Sequence, residues 1–477
     1  MIEHQFLTEL RAFRGILPDM TEEYIQTPDA PIYLSSGQNI NIRSGVIEKA
    51  KGYKPYLPIA KVSSNVLELM VRQSIAGTKS LLAVAPDGVY AAGANWFPIG
   101  NQTFHPQGVI TYANIGNALY FTNSNQGYIY KYSSTVALAP FSSINLLARY
   151  LISHKAFLVL MNLIREGEEM PSTLWFSYPG NPDRFDEEDR LTIGSGGEIV
   201  AGLSMGDHLI IYTRDGIYLV YYVGEGLGWG VKTISEKIGA ISPRSVSGNN
   251  ELHYFLAPDG LCVLPQGGTP TPLSWERFNK YLLKDLDTRR LNSVVVKHVP
   301  ENHRVYVVYP SISQSGNYIT LVYDTDLNEL VGHLHTMHPI STICVFNQAL
   351  LFGTKDGYVF TQDDSCEQYG WRVGSESEFP ILYFGVKTAY KRILEIDLVV
   401  EKDEGGLTFD VELGDGRALN VGRAVYPVQL PNEKGLHTVR SYVDVIANSF
   451  KLLIKEYGSP GYKIHSIALR GYVAGPR

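Results

Sequence analysis

Five segments of this sequence carry residue types that do chemistry elsewhere, and each has a plainer reading. Gly202-Leu203-Ser204-Met205-Gly206 matches the nucleophile elbow GxSxG, which needs a strand before it and a helix after it. Here His208-Leu-Ile-Ile-Tyr-Thr213 follows, a β-rich run, so the segment reads as a hairpin turn. Asp324-Thr325-Asp326-Leu327-Asn328 opens like a calcium loop. Its sixth position is Glu329 where Gly is needed, and its twelfth is His335 where Glu is needed. Asp and Asn also bond their own backbone, so the same residues read as a turn.

His333, His335 and His338 lie close together, and on a strand the first two share a face. Two imidazoles suit a transition metal. No Cys or carboxylate has ligand spacing nearby, so surface or interface histidines are expected. Asp186-Glu187-Glu188-Asp189 is the strongest charge run. Paired carboxylates serve glycoside hydrolysis only when they face each other across a sugar. Adjacent residues do not define that geometry, and a solvated or lumen-facing loop is expected. Gly224, Gly226, Gly228 and Gly230 form a glycine-rich stretch around Trp229, with no lysine where a phosphate loop needs one. They suit a flexible or closely packed loop between strands. Neither the Ser-x-Asp-x-Gly-x-x-Trp box nor a Gly-His…Trp-Asp pattern occurs. No catalytic residue, metal or cofactor is expected.

The elements that carry these segments are short strands. Apolar runs at 81–84, 118–122, 208–213, 252–256, 304–308 and 349–353 are β-rich and too short for an amphipathic helix. A tight-turn signal follows most of them: Asp87-Gly88, Gln126-Gly127, Asp215-Gly216, Asp259-Gly260 and Asp356-Gly357. Asp-Gly suits two-residue type I′ hairpins, which need positive φ at both central positions. Gly88 to Gly127 is 39 residues and Gly216 to Gly260 is 44, with two gaps of about twice that. Weaker hairpins fill those gaps, one turning at Pro179-Gly180 and one near Asp324 to Asp326. Repeats of ~40–50 residues built from strands belong to β-propellers. Radial packing hides both faces of each small sheet and leaves short edges. Six or seven blades are expected over residues 61–370.

One helix is expected at 275–286, with Trp275, Phe278, Leu282 and Leu286 on one face and Ser274 as its cap. After residue 370 the strand candidates are longer and no longer repeat, which predicts an antiparallel β-sandwich over 371–477. Residues 1–60 are expected to form an arm and a strand that closes the ring or joins the sandwich.

Composition narrows the function classes. The 477 residues carry a net charge of −7, with 19% charged and 44% hydrophobic residues. A globular chain with few charges suits broad contact with other protein, and its 31 tyrosines suit strands and interfaces. Mild acidity argues against a free-standing nucleic-acid binder, which needs clustered Lys and Arg. Cys262, Cys344 and Cys366 contain no CxxC pair, and a reducing site of synthesis is expected. Glu3 and Glu9 interrupt the first segment, which does not read as a signal peptide. No run approaches the ~18 apolar residues of a membrane helix, so stable membrane insertion is not expected.

Residues 174–183 (LWFSYPGNPD), 208–218 (HLIIYTRDGIY) and 241–264, with Tyr254-Phe255 and Asp259-Gly260, resemble the tail nozzle and packaged-DNA-stabilisation (head-completion) proteins of short-tailed bacteriophages. Residues 39–45 (NINIRSG) with Lys51-Gly52-Tyr53 are similar to the opening strand and turn of that family. The resemblance implies a structural, non-enzymatic virion protein. It implies a hexameric ring below the portal and adaptor, assembled in the host cytoplasm and resident in the virion tail. Genomic DNA would leave through the channel without sequence-specific binding, and a fibre, spike or plug protein would attach below. A negative wall reduces sticking of a polyanion. Loops expected at the lumen or at interfaces are Gly224, Gly226, Gly228 and Trp229, the run Asp186, Glu187, Glu188 and Asp189, and Asp363 with Asp364. A carbohydrate-binding or glycan-cleaving propeller is the alternative reading, and a host-cell scaffold a third.

Overall fold

Period-two alternation decides the architecture. In the computed structural model, which describes residues 5–19, 32–135, 137–141, 146–194, 197–224, 228–314, 317–384, 388–416, 424–458 and 460–475, both faces of the central blade strands are buried. Ala118–Asn123 and Arg304–Pro310 are buried along their whole length. Successive residues go to different clusters. Leu119 and Phe121 pack toward one neighbouring blade, and Ala118 and Tyr120 toward the other. Leu209 and Ile211 part from Ile210 and Tyr212 in the same way. Each such side chain contributes about 1.5–3 kcal/mol when fully buried, and a radial stack of sheets offers two apolar neighbours to each strand.

Among the described residues there are seven blades. Five are separate four-stranded sheets, beginning with the innermost strands Glu68–Gln73, Ile110–Ile115, Leu146–His154, Ile199–Met205 and Val246–Gly248. The sixth is Val295–Val299, Arg304–Pro310, Tyr318–Asp324 and Glu329–His335. The seventh takes Ile340–Phe346, Ala349–Thr354 and Val359–Gln362, and its fourth strand is Tyr53–Pro55 from the start of the chain. Each innermost strand packs on the next, and Ile340–Phe346 packs back on Glu68–Gln73. The N-terminal strand thus closes the wheel.

The turns differ from expectation in two ways. None of Asp87, Asp215, Asp259 and Asp356 adopts a positive φ, so these are not type I′ turns. At the last, Gly357 has φ +91° and donates its N–H to Thr354 O at 3.1 Å, while a Cβ there would meet Ser63 O at 1.9 Å. Glycine is required by both conformation and close approach. The third blade's hairpin turns at Glu166-Gly167, between Phe157–Arg165 and Glu168–Phe176. Pro179-Gly180 lies in the long link to the outer strand Arg190–Thr192, and the Asp324 turn joins the third and fourth strands of the sixth blade.

Two further sheets pack face to face. One contains Gln5–Arg11, Ile40–Arg43, Val46–Lys49, Tyr390–Lys402, Gly435–Ala447 and Tyr462–Gly475. The other contains Ser36–Gln38, Ser375–Glu378, Leu407–Asp415, Ala424–Leu430 and Phe450–Glu456. Ile396, Leu398, Phe409, Val411, Leu452 and Ile467 fill the space between. The first sheet runs unbroken into the sixth blade, because His333 pairs with Ile40 and Gly332 with Asn41. Lys49 and Glu456 form a buried ion pair at 2.8 Å across the layers.

The helix is Asn279–Asp285, shorter than expected. Phe278, Leu282 and Leu286 are buried, whereas Trp275 is 55% exposed. Ser274 does not cap it. Its Oγ accepts from Leu261 N at 2.9 Å, and the Asp19 carboxylate accepts from Lys280 N and Tyr281 N at 2.6 and 2.8 Å. A distant partner took the role that the sequence offered to a neighbour.

Candidate functional site

The loops expected at a lumen or an interface lie at the propeller rim, away from its axis. Gly224 and Gly228 pair across the hairpin of Ile217–Gly224 and Gly228–Ser235, the two outer strands of the fourth blade. Gly226 lies outside the described residues. Trp229 is an inter-blade side chain, stacked on Phe176 with ring centroids 3.7 Å apart and set edge-on to Phe157 at 5.0 Å. Asp186, Glu187, Glu188 and Asp189 sit in the third blade's link to its outer strand. Arg184 pairs with Asp186 at 2.9 Å, and Arg165 and Arg190 pair with Glu187 at 2.5 and 3.4 Å. Burial, then Asp186 and Glu188, raise the Asp189 carboxyl. The acids are adjacent rather than opposed, with basic partners interleaved. Asp364 pairs with Lys51 at 2.6 Å, and Asp363 accepts from Ser365 N and Oγ. Both lie beside the closing strand, where the seventh blade meets the sandwich.

The motifs with catalytic or metal-binding look-alikes serve as tethers. Ser204 Oγ lies 2.9 Å from His154 Nδ1, and His253 Nε2 lies 3.1 Å from Ser204 O. Together they join the third, fourth and fifth blades. Met205 and His208 close a hairpin, so no strand-to-helix elbow forms. Burial, then Lys155, pushes His154 down to about 4. Asp324 Oδ1 accepts from Asp326 N and Leu327 N at 2.8 Å each, and Arg304 pairs with its other oxygen, as a turn requires.

The histidines correct an expectation. His333 is buried, not superficial, because the N-terminal hairpin covers its strand. Its Nδ1 meets Gly37 O at 2.7 Å and its Nε2 meets His335 Nε2 at 3.1 Å. Burial, then the second imidazole, pushes it down to about 3. His338 pairs with Asp356 at 2.5 Å. Among the described residues no group of three or more His, Cys, Asp or Glu is placed to hold a metal ion.

Two surfaces do gather functional chemistry. The first is a cavity of about 570 Å³ at the mouth of the propeller channel, at the end where the innermost strands begin. Leu67 and Gly108 precede the innermost strands of the first two blades, and Arg244 and Ser293 precede those of the fifth and sixth. Arg214 and Lys355 come from second-to-third-strand hairpins. Five cations line the cavity (Arg214, Arg244, Arg289, Arg290 and Lys355) and no acid does. Arg244 donates to Leu67 O at 2.9 Å, Ser341 O at 3.1 Å and Asn292 O at 3.2 Å, tying the entry of the fifth blade to the first, seventh and sixth. Burial, then Arg244 and Arg290, pushes the Lys355 ammonium down to about 8. The sequence hid this cluster because its members are scattered over four segments. One signal existed: Arg214 and Lys355 both stand immediately before Asp-Gly, so both reach the same end of the wheel.

The second surface is the outer face of the larger sandwich sheet. Along Gly435–Ala447, alternate side chains face out: Leu436, Tyr442 and Ile446 are exposed, the first two by 64% and 74%. Leu7 and Leu394 join them. Ion pairs run between these apolar groups. Asp397, nearly buried, takes Arg440 at 2.7 Å and Arg470 at 2.9 Å. The two guanidinium groups hold its carboxyl below the usual range, Arg440 foremost. Gly435–Ala447 is also the last strand of its sheet.

No protein-family profile and no curated protein matches the sequence. Solved structures do resemble the fold. BamB from Moraxella catarrhalis aligns at 12% identity over 63% of this chain and 96% of its own, with a TM-score of 0.37. The WD40 domain of Neurospora crassa Pan2 aligns at 9% identity over 63% of this chain and 89% of its own, with a TM-score of 0.41. A computationally designed protein, Ika8, aligns at 14% identity over 74% of this chain and 99% of its own, with a TM-score of 0.41.

Proposed function

We propose that this β-propeller protein is a structural component of a short-tailed bacteriophage tail, without enzymatic activity. Six copies would form the nozzle ring below the portal and adaptor, and genomic DNA would leave through its channel. A fibre, spike or plug protein would attach to the ring, which would also help to retain the packaged genome. The observation that carries this reading is the outer sandwich face. Large apolar side chains stand exposed on a rigid sheet, spaced by ion pairs that fix orientation, as a homo-oligomer contact needs. The resemblance of residues 174–183 and 208–218 to nozzle proteins supports the same reading. The rim loops around Gly224, Asp186 and Asp363 are then the parts free to face a ring channel or a neighbouring tail protein. The test is mass photometry of the purified chain beside Leu436→Glu/Tyr442→Glu. A hexamer that the double variant reduces to monomer supports the reading; a wild-type monomer at all concentrations overturns it.

A glycan-binding propeller is the second reading, favoured by the exposed rings of Tyr178, Tyr221 and Tyr222 on the rim. Aromatic faces of this kind stack on sugars. A glycan array decides it, and the absence of binding removes it.

A further inference from the structure

The cationic cavity on the propeller axis has no part in ring assembly as proposed above, and it is built like a receptor. Three acids stand behind its five cations. Glu198 holds Arg214 at 3.1 Å, Glu68 lies 3.5 Å from Arg244, and Asp287 takes Arg289 and Arg290 at 2.9 Å each. The cavity therefore keeps an excess of two positive charges, with guanidinium groups already oriented. Preset forks lose little freedom when they bind an oxyanion. Arg290 sits over the Tyr318 ring at 5.5 Å and Lys355 over the same ring at 5.9 Å, which fixes both.

Two groups there lack a counterpart. Arg244 Nε is buried without a hydrogen-bond acceptor. The half-buried Lys355 ammonium has Arg244 and Arg290 as its nearest acting charges, both cationic. Its neighbour Asp356 is engaged by His338 instead. A partly desolvated cation among cations is costly until an anion joins it.

We propose that this cavity binds a small soluble molecule carrying at least two phosphate charges, of the size of diphosphate or a nucleoside diphosphate. The volume falls within the ~300–1,000 Å³ of small-molecule sites. Cations converging from four segments match a cluster of phosphate oxygens better than a single carboxylate, which one arginine fork already satisfies. A nucleic-acid backbone is tracked by an open groove rather than by a pit at the end of a channel.

The site does not depend on the virion reading, so its test stands apart from the oligomer measurement. Sodium diphosphate is titrated into the full chain by calorimetry at low salt, with Lys355→Met and Arg289→Gln in parallel. Circular dichroism establishes that each variant is folded. Arg289 is largely exposed, so its variant keeps the test decisive if Lys355→Met fails to fold. Saturable binding is expected, weakened about tenfold by either change, as loss of one charge-assisted contact implies. Wild-type affinity should also fall between pH 7 and 9 relative to Lys355→Met, which carries the ligand's own titration. Lys355 is the group that loses charge there. The charged groups around it are Arg214 with Glu198, Arg244 with Glu68, and Arg290 with Asp287, and the arginines keep their charge. Absence of saturable binding, equal binding by wild type and both variants (an adventitious ion only), or preference for a single-stranded oligonucleotide over diphosphate would each overturn the proposal.

Discussion

Replacing Lys49 with Met removes one half of the ion pair that ties the N-terminal hairpin to the far sandwich sheet. Lys49 Nζ lies 2.8 Å from Glu456 Oε2, and the side chains are 2% and 0% exposed. At an effective dielectric of ~20, two charges at that distance attract by about 6 kcal/mol, most of it offset by the desolvation both have already undergone. The single change does not return Glu456 to water. It leaves the carboxylate in place with the Ser375 hydroxyl at 3.1 Å and without its ammonium. Breaking one side of such a pair costs about 3–5 kcal/mol. Lys49→Met/Glu456→Leu should recover most of that loss, because Ser375 Oγ and Tyr462 OH, 2.7 Å apart, then satisfy each other. Urea unfolding followed by fluorescence and far-UV circular dichroism measures all three proteins. The expected coupling between the two substitutions is about 2 kcal/mol or more. A Lys49→Met midpoint equal to wild type, or purely additive effects, would show that the two groups do not act as a pair.

Three other outcomes follow from the packing. Burial pushes the Cys262 thiol up to about 12 and the Cys344 and Cys366 thiols up to about 11. Ellman's reagent at pH 8 should therefore label native protein at least a hundredfold more slowly than urea-unfolded protein; equal rates would contradict the burial. His253 and His333 are held neutral, pushed down to about 4 and about 3 by burial, against ~6.5 in an unfolded chain. The unfolded state then binds more protons between those values, so stability falls as pH drops from about 6.5 toward 4, by up to about 1.4 kcal/mol per pH unit for each. Urea midpoints across that window check it, and a flat profile would contradict it. Trp229→Ala strips the ring stacked on Phe176 and should cost about 2–3 kcal/mol, below the ~3–5 of a fully buried ring; thermal unfolding measures it, and an unchanged midpoint would count against the inter-blade role.

The propeller was legible because its signal is local. Glycine turns near every 40–50 residues, and runs such as residues 118–122 that bury both faces, are visible in one stretch of chain. What stayed hidden depends on distant partners. A closing strand from residues 1–60 is expected from the sequence, but that Tyr53–Pro55 supplies it, across some 300 residues, is announced by no periodicity. Asp19 caps a helix 260 residues away, which is why Ser274 misled. The N-terminal hairpin buries His333, so a histidine that reads as superficial is internal. The candidate site shows the same division. Acid and glycine runs, conspicuous in sequence, sit on the rim. The cavity's cations come one or two from each of four segments, and only the wheel brings them together.

Electron cryo-microscopy of the purified protein, and of the particle that carries it, is the sharpest test of the proposed ring. A closed ring of six copies, joined through the face that bears Leu436, Tyr442 and Ile446 and seated in a tail, is the expected result. Isolated wheels with that face in solvent, and no copy in any particle, would contradict it.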